Sequence, residues 1–149
     1  MKDFDLDQQL GFNLYRVASL FKREHARALR EHNLTPEQWQ ALAALWRHGA
    51  LKQAAIARVT LQDAPTLSRM LVRMERDGWL QREADPDDAR VSIVRLTAAG
   101  AGLRDVLPVK LLRHFRGFLR EFPRGDQDHL LQLLRALRHS IGDLAGGAG

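Results

Sequence analysis

Apolar residues recur at intervals of three and four from the first ten positions onward. Leu6, Leu10, Leu14, Val17 and Phe21 keep that spacing, with Arg16, Lys22, Arg23 and Arg27 between them. The pattern predicts a long helix ending near His32-Asn33. A second helix has a clear start. Thr35 is its expected N-cap, Pro36 sits in the first turn where a missing N–H does no harm, and Gln38 closes a capping box. Trp39, Leu42, Ala43 and Trp46 are its expected inward face, and Gly49 stops it. A short helix follows over about 53–59, with Ala55, Ile56 and Val59 inward and Lys52 where a capping side chain is usual. After the turn Thr60-Leu61-Gln62, Asp63 caps a helix over 63–77. Pro65 lies in its first turn, Leu67, Met70, Leu71 and Met74 form its apolar stripe, and Gly78 ends it.

The period then changes. Trp79-Leu80-Gln81-Arg82-Glu83 and Val91-Ser92-Ile93-Val94-Arg95-Leu96 are short and rich in β-branched or aromatic residues, with the polar segment 84–90 between them. They predict a hairpin with its strands within 80–96. Thr97 caps a further helix, which Pro108 should kink or break. Beyond it Leu112, Phe115, Leu119 and Phe122 keep the helical period, and Pro123-Arg124-Gly125 reads as a turn. A last helix is expected from about Asp126, with Leu130, Leu134, Leu137, Ile141 and Leu144 on one face and a frayed tail over 145–149. The fold class is therefore mainly α with a small β-hairpin. Two short helices joined by a tight turn and followed by a hairpin make a winged helix–turn–helix lobe, here over 35–97, within a single domain spanning 1–149.

Composition removes several alternatives. With no cysteine among 149 residues, disulfides, thiol redox sensing and thiolate metal sites are excluded. No apolar run approaches the ~20 residues that span a bilayer, and Met1-Lys2-Asp3-Phe4-Asp5 is no signal peptide, so the cytoplasm is the expected location. The net charge of +5 suits an acidic partner. It adds little weight, because basic residues outnumber acidic ones only 7 to 6 over 1–51, 8 to 7 over 52–96 and 8 to 5 over 97–149.

The helix over 63–77 carries the informative chemistry. Thr66, Arg69, Arg73 and Arg76 share the face opposite its apolar stripe. Such a helix fits the major groove of DNA, where an arginine fork pairs with guanine and Thr66 or Ser68 can donate to phosphates or bases. The same arginines would also make an ordinary solvated face. In the hairpin tip, Asp88 is placed to pair with Arg90 and aim it toward a narrow minor groove.

The segments Asp63-Ala64-Pro65-Thr66-Leu67-Ser68-Arg69-Met70-Leu71, Glu75-Arg76-Asp77-Gly78-Trp79-Leu80, Asp85-Pro86-Asp87-Asp88-Ala89-Arg90 and Leu96-Thr97-Ala98-Ala99-Gly100 together resemble the MarR family of bacterial regulators. Leu34-Thr35-Pro36-Glu37-Gln38-Trp39 fits it too. The likeness follows the helix order of nearly the whole chain and is most specific over 34–100. It implies a cytoplasmic transcription regulator, expected to be a repressor. It implies a homodimer on a near-palindromic double-stranded DNA site, with dimerisation helices over 5–32 and 98–145. The four-and-three spacing of the terminal helices resembles a coiled-coil seam, although it also suits two helices of one chain packing together. By position, Pro65, Thr66, Ser68, Arg69 and Arg73 match the family's reading helix, and Asp88 and Arg90 its wing pair. Asp87 and Ala89 depart from it where the wing often carries charge of the other sign or more of it, leaving Arg90 nearly alone.

The resemblance also implies release from DNA by a small aromatic or phenolic effector. Tyr15, Arg16, Phe21, Trp39 and Trp46 are the candidate ligand residues, against the plainer reading of aromatic residues as core. No metal site or cofactor is expected, since the six histidines are scattered without an HxxxH pair. No nucleophile elbow, P-loop or dinucleotide turn suggests an enzyme. The competing readings are a non-catalytic helical adaptor and a DNA-binding regulator that needs no effector.

Overall fold

Residues 4–143 are described by the structure, a computed structural model. Leu144 and the tail expected over 145–149 lie outside them. Asp5 caps a single 3-10 turn at Leu6–Gln8 and leads into α1 (Leu10–Leu29). A second 3-10 turn, Arg30–His32, ends at Asn33, whose left-handed backbone (φ 52°) stops the helix where the sequence places its end. α2 (Pro36–His48) begins with the expected capping box. The Gln38 backbone N–H donates to Thr35 Oγ1 at 3.2 Å, and the Thr35 N–H donates to Gln38 Oε1 at 2.9 Å.

β1 (Leu51–Lys52) follows, then α3 (Gln53–Thr60) and α4 (Ala64–Arg76). β2 (Leu80–Ala84) and β3 (Ser92–Leu96) form the hairpin. The sheet is antiparallel in the order β1–β3–β2, with Leu51 opposite Val94, Leu80 opposite Leu96 and Ala84 opposite Ser92. The strand β1 is not expected from the sequence, because two residues carry no period. It also explains Lys52, which ends the strand, stands at the N-cap of α3 without a side-chain capping bond, and places its Nζ 3.7 Å from Asp85 Oδ2.

α5 (Ala98–Gly102) and a 3-10 turn precede α6 (Leu107–Phe118), with Pro108 in the first turn of α6. The proline thus starts a new helix after a break. α7 (Arg124–Ser140) begins two residues earlier than expected, with Pro123 as its N-cap, so Arg124 and Gly125 are helical.

One core joins the lobe to the helices that flank it. Leu29 and Leu34, Leu42 and Leu45 of α2, Ile56, the α4 stripe, Leu80, Val94 and Leu107 are all buried. Two expectations about facing are corrected. Val59 points outward, since Ile56 and Thr60 form the buried side of α3 and Val59 lies off to one side of it, about 100° around the helix from Thr60. On α2 the buried apolar positions past its first turn are Ala41, Leu42, Ala44 and Leu45, while Trp39, Ala43 and Trp46 are half-buried on its flank. Among the described residues, no helix is long and apolar enough to cross a membrane.

Candidate nucleic-acid interface

α4 is fixed at its N-terminus by Asp63. Its Oδ1 accepts the Thr66 backbone N–H at 2.8 Å, and its Oδ2 accepts the Thr66 hydroxyl at 2.9 Å. These two bonds hold the Asp63 carboxyl below its ordinary pKa, the backbone bond contributing most. Leu67, Met70, Leu71 and Met74 are buried in a line, which turns Pro65, Arg69, Arg73 and Arg76 outward. Arg69 Nη2 lies 3.4 Å from Thr66 Oγ1, and Arg73 Nε lies 3.5 Å from the Arg69 carbonyl. Arg76 pairs with Asp77 at 3.1 Å, at the far end of the helix. Thr66 therefore gives its proton to the cap, while Arg69 is exposed and Thr66 and Ser68 are half-buried.

The hairpin tip is ordered by its aspartates. Asp85 accepts the Asp87 N–H and is itself buried, and its own N–H donates to the Val91 carbonyl at 2.8 Å. Asp88 takes Arg90 in a fork, Nε to Oδ1 and Nη2 to Oδ2, both at 3.1 Å, and also accepts the Arg90 N–H. The fork holds the Asp88 carboxyl below and the Arg90 guanidinium above their ordinary values. Arg90 is nevertheless 90% exposed, so it is oriented without being covered.

Between α3, the start of α4 and the hairpin lies a cleft of about 370 Å³. Ser68 and Arg90 line it, together with Gln53, Arg82 and Ser92. Nothing in the sequence alone marks Arg82. It donates from Nε to Glu75 Oε2 at 3.0 Å, and its backbone N–H reaches Glu75 Oε1 at 3.3 Å, so it ties the first hairpin strand to α4. The two residues lie in different elements on either side of a turn, so neither element's own period brings them together.

The five aromatic-pocket candidates lie in three places on this chain. Tyr15 (79% exposed) and Arg16 line a shallow cleft on α1 with Phe12, and the Arg16 guanidinium sits 5.4 Å over the Phe12 ring. Phe21 faces an apolar groove of about 710 Å³ between α1, α6 and α7. Trp39 and Trp46 meet edge to face at 5.4 Å beside the core. A run of ring contacts joins the last two places: Phe21 stacks on Phe115 at 5.4 Å, Phe115 meets His25 at 5.4 Å, and His25 meets Trp39 at 6.1 Å. Below this run the buried Glu24 receives Arg27 at 2.8 Å and His114 Nε2 at 3.2 Å, linking α1 to α6. Among the described residues, no group of three or more acidic or histidine side chains is placed to hold a metal ion.

Comparison with known proteins agrees with this geometry. The model of a family described as the MarR family matches residues 34–92. The chain is 30% identical to the transcriptional activatory protein BadR of Rhodopseudomonas palustris, over 97% of this chain and 85% of that protein. The transcriptional repressor CouR, solved bound to a 23-mer DNA duplex, superposes with a TM-score of 0.83 at 25% identity, covering 92% of this chain and 97% of that one. The PcaV transcriptional regulator of Streptomyces coelicolor, solved with its natural ligand, gives 0.80 at 25% identity over 95% and 99%.

Proposed function

The chain belongs to the MarR family of DNA-binding transcriptional regulators, and from that premise we propose that it acts as a homodimeric repressor on a near-palindromic operator. α4 enters the major groove, and the hairpin lies along the neighbouring minor groove. The observation that carries this reading is the pairing of an outward arginine face on α4 with the Asp88–Arg90 fork at the hairpin tip. Pro65, Thr66, Ser68, Arg69, Arg73 and Arg76 form the major-groove surface, Arg69 as the base reader and Thr66 as part of its support. Arg90, aimed by Asp88, is the minor-groove contact. The output is occupancy of DNA, and no catalytic step is assigned.

The domain reading follows from the same picture: 35–97 as the DNA-binding lobe, 5–32 and 98–145 as dimerisation helices. A second copy covers the groove between α1, α6 and α7. A small aromatic anion binds near the run of rings from Phe21 to Trp46, with Tyr15 and Arg16 supplied across the dimer, and weakens the hold on DNA. The PcaV structure, solved with its natural ligand, is a precedent for ligand binding in a relative.

Arginine variants test the assignment of the reading face. Arg69→Ala should cost ~1–3 kcal/mol on the preferred base pair and relax preference at one position of each half-site. Arg90→Ala should weaken binding with little change in base preference in the major groove. Binding of both variants like wild type would remove α4 and the hairpin tip from the interface.

A further inference from the structure

α4 has one side chain on its outward face that nothing above uses. Pro65, Arg69, Val72 and Arg76 follow one another at spacings of four, three and four, along the line opposite the buried Leu67, Met70, Leu71 and Met74. Val72 is 49% exposed and lies in the middle of that line, between two arginines. Its position costs helix stability, because a β-branched residue loses side-chain freedom in a helix and gains nothing from the core when it faces outward. A long polar residue would serve a merely solvated face better.

We propose that Val72 is a specificity-determining residue that packs on the C5-methyl group of a thymine in the major groove. Thymine is the one base that presents an apolar group there, and small apolar side chains are its usual contact. Val72 stands three residues beyond Arg69, about 4.5 Å further along the helix axis. That advance is close to one base step of ~3.4 Å along a strand. Arg69 and Val72 therefore address base pairs one or two steps apart, and each half-site holds a guanine and a thymine in that relation. The inference rests on the reading of α4 as the major-groove helix.

The test uses the full chain and a random-sequence duplex library with fixed flanks. The duplex enriched by the wild-type protein is resynthesised with deoxyuridine replacing thymidine one position at a time, which removes only the methyl group. Affinities are measured for wild type, Val72→Ala and Arg69→Ala. Wild type should lose about fourfold at one thymine of each half-site, the effect of one buried methyl group. Val72→Ala, whose side chain is shorter by two methyl groups, should lose most of that sensitivity while keeping its preference at the Arg69 position. Arg69→Ala should bind more weakly overall and keep the thymine effect. Wild type indifferent to every replacement, or Val72→Ala as sensitive as wild type, would overturn the inference and leave α4 as a reader. Failure of the wild-type protein to enrich any sequence would instead overturn the reading of α4, and this inference with it.

Discussion

His25 sits half-buried between α1, α2 and α6, with its ring against Trp39 and Phe115 and no hydrogen-bond partner for Nε2. Burial lowers its pKa below the ordinary imidazole value. Glu37 of α2 pulls it partly back, and His114 of α6 pushes it further down. A base with a lowered folded pKa gives the unfolded chain the greater share of bound protons as the pH falls. The fold therefore loses stability as pH drops below about 6.5 toward the depressed value, with no effect well above it. Thermal unfolding between pH 8 and 5 should show a steeper acid-side loss in wild type than in His25→Gln, and identical profiles would contradict this. The hairpin tip has the opposite character. Asp88 is held ionised by Arg90, so its fork persists down through the ordinary carboxylate range and loosens only as pH falls through the lowered value. Arg90, Asp88 and the α4 arginines were legible as an arrangement, because short separations within one element fix their directions. The Glu75–Arg82 tie and the outward valine were not singled out. The first needs the angle between helix and hairpin, and the second is an apolar residue that a search for donors passes over.

At the level of elements, Gly100 is the tightest joint. A Cβ there would lie 2.0 Å from the Trp79 carbonyl oxygen and 3.2 Å from Leu96 Cδ2. Backbone that also carries the Thr97 N–H bond to Trp79 has little room to yield. The same residue accepts Trp46 Nε1 at 2.9 Å and donates its N–H to Thr97 Oγ1, whose hydroxyl donates to the Gly78 carbonyl at 2.6 Å. One glycine thus joins α2, the end of α4 and the start of α5. Gly100→Ala should destabilise by about 2–3 kcal/mol in chemical denaturation. Gly102→Ala, where nothing lies within 4 Å of the added carbon, should be neutral or stabilising by up to ~1 kcal/mol. Equal effects would show that the close approach does not govern. Helices α2 and α4 and the hairpin could be read in the sequence because their caps and periods agree. β1 could not, since its only support is the ladder to β3, which exists once the hairpin has folded back. The start of α7 was hidden because Pro123-Arg124-Gly125 has turn composition, and only the helical continuation shows the proline acting as a cap.

Across the whole molecule, apolar residues on α1, α6 and α7 remain uncovered. Val17, Leu20, Leu112, Leu130, Leu131 and Leu133 are exposed, and α7 buries none of its residues. Monomeric proteins rarely leave so continuous an apolar face open, which is the ground for the proposal that a second copy covers it. The spacing of the terminal helices hinted at this seam, but a pattern in one chain does not say whether its partner is the same chain or another. Leu131→Glu, in the wall of the groove, should yield a monomer by light scattering at micromolar concentration, keep its helical circular dichroism and lose operator affinity at least tenfold. A dimer of unchanged affinity would move the interface elsewhere. Sequence-specific binding through neutralised phosphates is measured most directly by titrating the full chain onto duplex DNA from upstream of its own gene, against a scrambled duplex of equal length, from about 50 to 200 mM salt. The expected result is two chains per site, a preference of roughly a thousandfold or more, and log affinity falling linearly and steeply with log salt concentration. Equal affinity for the two duplexes, or affinity that does not change with salt, would contradict it.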